Sequence, residues 1–148
     1  MGDDMSDAKK SWQKGDGKLG VLDPLIGSWR TEGCVRTFSR ILGGSYVLLE
    51  ARWELGAGKI YEEHAVYGVD KSGRLSFWSF TSDGQRSEGT LVDAGDLHAE
   101  AIGFEAEMPA GLARMVYWPA ADGGVDLAVE SRDQNGWNRF LHHHYTAL

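Results

Sequence analysis

Short runs of strand-forming residues, broken at regular intervals, limit more than any other feature what this chain can fold into. The clearest run is SYVLLEARWEL. Val47, Leu49, Ala51, Trp53 and Leu55 share one face; Tyr46, Glu50, Arg52 and Glu54 share the other, interrupted by Leu48. A period of two turns one face toward a core and the other toward water. Comparable runs are SWRTEGCV, RTFSRIL, KIYEEHAVYGVD, GRLSFWSFT, QRSEGTLV, DLHAEAIGF, LARMVYW, GVDLAVESR and WNRFLHHHYTA, separated by segments carrying Gly, Asp or Pro. Even spacing of short strands reads as a sandwich or a barrel, here of about ten strands. No long amphipathic helical pattern, internal repeat or low-complexity segment competes with that reading. The expected fold is an all-β antiparallel barrel, because closure removes exposed strand edges.

The 148 residues suit one domain. Residues 1–20 are expected to form a disordered tail and residues 21–148 the barrel, since the first stretch is polar and lacks apolar periodicity. In VLDPLIGSW, Asp23 is placed to cap a short helical turn, Pro24 to open it and Gly27 to end it. The formal charge of −7 argues against nucleic acid and anionic membrane as partners, which require clustered Lys and Arg. One cysteine, Cys34, excludes an intramolecular disulfide and fits a reducing compartment. With no apolar signal core and no run near the ~18 apolar residues of a membrane span, the expected location is cytoplasmic.

The residues that interrupt the apolar pattern are the candidates for function. In KIYEEHAVYGVD, Ile60, Glu62, His64 and Val66 share one face; Tyr61, Glu63, Ala65, Tyr67 and Val69 share the other. Neither face is cleanly apolar, so the pattern leaves open which one points inward. Trp29, Trp53, Trp78, Trp118 and Trp137 lie in strands and either fill the barrel or line a cavity for a flat, apolar molecule. The last run places Trp137, Arg139, Leu141, His143 and Tyr145 on one face, with Phe140, His142, His144 and Thr146 on the other. His142 and His144 have a spacing that suits a metal on a strand, but no third ligand is evident, and none is expected. There is no G-x-S-x-G elbow, H-E-x-x-H or P-loop.

GSWR after a helical turn resembles the G-x-W start of lipocalin-like (calycin) barrels. In those barrels an arginine on the last strand packs across the tryptophan, so the resemblance implies that Arg139 meets Trp29. A longer order extends the likeness: GSW, GGSYVLLEARWE, YGVD, FWSFTSDG and a late aromatic strand ending in Tyr-Thr. Over roughly residues 22–146 it resembles an uncharacterised bacterial calycin-like family, domain of unknown function fifteen seventy-nine. The chain departs from it at Val69, usually Tyr, and at Phe80, where the acid of a W-x-D element is missing. The resemblance implies a calycin barrel and no assigned activity. Nitrobindins, a neighbouring calycin group, hold haem through a histidine near the C-terminal end, a comparison that His142–His144 invite although the mid-chain motifs are not evident.

The expected function is non-enzymatic binding of a small hydrophobic or aromatic ligand inside the barrel. Trp53, His64, Tyr67, Trp78, His143 and Tyr145 are the candidate lining residues, and Trp29 and Arg139 the structural closure. Three alternatives remain open: haem on His143 or a neighbour, an enzyme using His64 as acid or base beside Glu62 or Tyr67, and a homo-oligomer joined by outer aromatics.

Overall fold

The computed structural model describes residues 12–148; residues 1–11 of the expected tail lie outside them. Ten strands follow one another: β1 (Gly27–Thr31), β2 (Cys34–Ile41), β3 (Tyr46–Gly56), β4 (Lys59–Val69), β5 (Leu75–Thr81), β6 (Arg86–Val92), β7 (Ile102–Met108), β8 (Gly111–Pro119), β9 (Val125–Asp133) and β10 (Gly136–Ala147). They close into a single barrel in sequence order, each antiparallel to the next, and β10 returns to pair with β1. The alternation in β3 is realised as expected: Val47, Leu49 and Ala51 are buried and Glu50, Arg52 and Glu54 exposed. The β3–β4 hairpin turns through Ala57 (φ 54°) and Gly58 (φ 76°). Two successive left-handed residues match the twist of the flanking strands.

Three boundaries differ from the expected ones. SWRTEGCV is not one strand. Thr31 pairs with Cys34 across a tight turn at Glu32–Gly33, where Gly33 has φ 74°. DLHAEAIGF is strand only from Ile102, because the preceding segment forms a loop packed on the outer wall through buried Ala94. The helical turn is a 3₁₀ segment, Leu19–Leu25, with Pro24 inside it. Asp23 caps nothing there and instead pairs with Arg40.

That 3₁₀ segment plugs one end of the barrel. Leu22 and Leu25 are fully buried, and the Trp29 indole donates to the Leu25 carbonyl at 2.8 Å. Trp12, within the expected tail, packs partly buried against the same core, and its N–H bonds Glu100 at 2.9 Å. Lys18 reaches the Gly73 carbonyl in the β4–β5 turn. Behind the plug the core is aromatic. Phe104 meets Tyr67 and Phe77 edge-on, with centroids at 5.1 and 5.7 Å, and Phe38 meets Tyr117 at 5.7 Å. Edge-to-face rings add to the area they bury.

The predicted meeting of Trp29 and Arg139 does not occur. A bulge lies between Arg139 and Leu141 on β10, so the run of even alternation breaks there. Leu141, His143 and Tyr145 face inward in register with Val129, Leu127 and Val125. Arg139 turns outward, donates to Glu130 at 3.1 Å and lies over the Trp118 ring. There it joins an outer-wall network. Arg114 donates to Glu130 at 2.9 Å and grips Asp96 of the β6–β7 loop through both terminal nitrogens, at 3.0 and 2.8 Å.

A second outer contact ties β10 to the β8–β9 turn. The two ring nitrogens of His144 bond Asp126 at 2.9 Å and Asp122 at 2.8 Å, and these two hydrogen bonds raise its pKa above the ordinary 6.5. A raised folded-state pKa stabilises fully below the unfolded value, and the benefit is lost as pH rises through the folded value. Wild type should therefore out-melt His144→Gln more at about pH 5.5 than at about pH 8.5, by a small margin because the site is solvent-exposed. Equal margins in paired thermal melts contradict this.

Candidate functional site: the open end of the barrel

Of the six residues expected to line the interior, four do so. Trp53 pairs with Cys34 and Tyr61, Tyr67 with Val47 and Phe77, His143 with Leu127, and Tyr145 with Val125, each on the inward face. His64 and Trp78 point outward and are corrected. His64 has 59% of its side chain exposed, with Glu50 the nearest acid at 3.9 Å. Its register partners Glu50 and Phe80 are both exposed, which fixes the face. Trp78 is half-buried on the outer wall, since Phe77 beside it takes the inward place. The ambiguity of β4 resolves accordingly: Glu63 faces inward and Glu62 and His64 face water. His64 and Tyr67 lie on opposite faces, so these two form no acid–base pair; Glu62 shares the face of His64, where both are exposed and the acid near His64 is Glu50.

The two ends of the barrel differ. Away from the plug, the inward-facing side chains Trp53, Tyr61, Glu63, Met115, Leu141 and His143 are only partly buried. Inward residues retain exposure where the barrel mouth is open. Ala106 and Ala113 pair across the opposite wall, where their small side chains take up little of the mouth. Beneath this rim lies a polar floor made by Arg36, Tyr67, Tyr117, Tyr145 and Cys34, all buried.

Arg36 is the residue that the reading of the sequence missed. It is 3% exposed, in register with Trp29 and Ala51, and points into the barrel. Its Nε donates to the Tyr117 hydroxyl at 3.1 Å, while a terminal nitrogen lies 3.8 Å from Glu63. Burial works against the charged guanidinium, but Tyr117, Tyr145 and Glu63 around it hold its pKa above the ordinary value. It is therefore a fixed cation inside a largely apolar barrel. Such a charge is costly to bury unless it is well paired. The signal for it was the shared parity of Cys34, Arg36 and Phe38.

The neighbours take their character from burial. Burial raises the Tyr67 and Tyr117 hydroxyl pKa values and that of Tyr145, so all three stay protonated. Burial and the nearby Arg36 lower the pKa of His143, which keeps its imidazole neutral at neutral pH. The His143 ring lies 5.1 Å from Trp53 and 6.3 Å from Tyr145. Burial raises the Cys34 pKa, so this thiol is not an activated nucleophile. Tyr67, 1% exposed, has a hydroxyl with no hydrogen-bond partner among the described residues. Buried polar groups are ordinarily satisfied, so an orphan of this kind calls for an explanation.

Three hollows on the surface are open grooves. The largest, about 890 Å³, runs along β5–β7 beside Trp78, Glu88 and Glu105. A second of about 690 Å³ crosses β1–β4 at Arg30, Arg52 and His64. Their charged side chains face water and do not converge on a buried centre, whereas the polar groups at the open end do. Among the three consecutive histidines only His143 faces inward; His142 and His144 lie on the outer wall beside Asp126. Among the described residues, no group of three or more His, Cys, Asp or Glu is arranged to hold a metal ion. No helix there is long and apolar enough to cross a membrane. No protein-family model matches the chain, and no curated protein matches it.

Proposed function

We propose that the barrel binds a small, largely apolar or aromatic molecule through its open end, as lipocalin-like barrels do. The observation that carries this reading is the unlike pair of barrel ends. One is sealed by Leu22 and Leu25, and the other has inward-facing Trp53, Leu141, Met115 and His143 left partly exposed. A closed antiparallel barrel is consistent with such a role, since barrels of this kind can hold one small ligand among inward side chains. Rigid rings on the rim offer apolar area at low entropic cost, and Trp53 with His143 forms a platform for a flat molecule. Catalysis has less support: the neutral imidazole of His143 is inside, where its ring lies against Trp53 and Tyr145.

The test is a titration with N-phenyl-1-naphthylamine, a neutral aromatic fluorophore. Saturable enhancement with one site per chain, together with quenching of tryptophan emission, is the expected result. No saturable enhancement at any concentration below the probe's solubility limit would remove interior binding as the function.

A further inference from the structure

We propose that the ligand carries a carboxylate-like anionic group, held at the barrel floor by the Arg36 guanidinium and the Tyr67 hydroxyl. The proposal rests on the interior-binding reading and adds the chemical class of the molecule.

The argument is a shortage of acceptors. Arg36 presents a planar fork of N–H donors, yet among the described residues its one oxygen partner within hydrogen-bond distance is the Tyr117 hydroxyl, at 3.1 Å. Among the described residues a terminal nitrogen has the Met115 sulfur at 3.8 Å and Glu63 at the same distance, and the Cys34 thiol lies close by. The Tyr117 hydroxyl gives its own proton to Met115 sulfur, and the Tyr145 hydroxyl to Cys34 sulfur, each at 3.7 Å. Thioether and thiol sulfurs are weak acceptors. The Tyr67 hydroxyl has no partner of good hydrogen-bond geometry among the described residues, although the Tyr117 hydroxyl lies close enough to act on it. The floor is thus rich in donors and a fixed positive charge, and poor in oxygens to receive them.

Glu63 does not remedy this. It stands beyond hydrogen-bond distance of Arg36 and is partly exposed toward the mouth. A carboxylate entering from the mouth supplies two oxygens to a guanidinium whose geometry suits them. The same oxygens are acceptors for the orphan Tyr67 hydroxyl. The apolar remainder of the molecule then lies toward Trp53, Leu141 and His143. Glu63 opposes an entering anion by like charge, and this fixes the sign of one variant. Ordered water is the rival occupant, because it too can satisfy donors.

The decisive comparison is calorimetric titration of 2-naphthoate against 2-naphthamide, which share a ring system and differ in charge and acceptor strength. A charged hydrogen bond implies that the acid binds about 10–100-fold tighter than the amide. Tyr67→Phe keeps the ring and the packing, so it is the variant least able to disturb folding, and it should remove much of that preference. Arg36→Met should remove the rest, so that acid and amide bind alike. Glu63→Gln should strengthen the acid. Equal affinity for acid and amide, with the neutral fluorophore still bound, overturns the anionic ligand and leaves interior binding standing. Failure of all three compounds to bind removes both.

Discussion

Replacing Arg114 with alanine is expected to destabilise the protein by about 3–5 kcal/mol, read from the urea unfolding midpoint. Arg114 is buried under the β6–β7 loop and holds Glu130 on one side and Asp96 on the other, with the Trp137 ring 4.3 Å from its guanidinium carbon. Without it Glu130, 5% exposed, keeps only Arg139 as a charged partner among the described residues. Removing one member of a buried pair leaves an uncompensated charge, which costs far more than the pair contributes. The double variant Arg114→Met with Glu130→Leu should recover most of the loss, because it removes both charges together. A single variant that unfolds with wild type would mean that water already screens Glu130.

Phe104→Ala is the second large effect, also about 3–5 kcal/mol. Phe104 is buried at the centre of the ring cluster, touching Tyr67 and Phe77 edge-on. Its loss leaves a cavity that the barrel backbone, bonded on both sides of β7, cannot collapse to fill. By contrast, alanine at Phe140 should cost little, since that residue is already 65% exposed. Comparable losses at the two positions would contradict the assignment of interior and exterior.

The same contrast explains how much of the molecule was legible in its sequence. Strand type, number and antiparallel order follow from period-two alternation and turn residues, and β3 is the plainest case. What alternation cannot register is a bulge. One extra residue near Phe140 reverses the sense of β10, so Arg139 moved from the interior, where even counting puts it, to the outer wall. Parity also fails where adjacent residues are equally apolar. Phe77 and Trp78 both suit the core, and only pairing with Gly89, on the inward face, and Glu88, on the outer, separates them. On β4 the two glutamates are neighbours, one inside and one outside, so composition could not choose a face. Arg36 was passed over because a charge on a core face runs against the rule that charged groups stay in water, and that exception marks the candidate site.

The most direct test of the central claim is an amide and indole NMR titration with N-phenyl-1-naphthylamine. Interior binding predicts shifts for the Trp53 indole and for Tyr61, Leu141 and His143 at the open end, with Trp78 and His64 unmoved. Shifts confined to Trp78, Glu88 and Glu105 would place the probe in the outer groove and contradict the account.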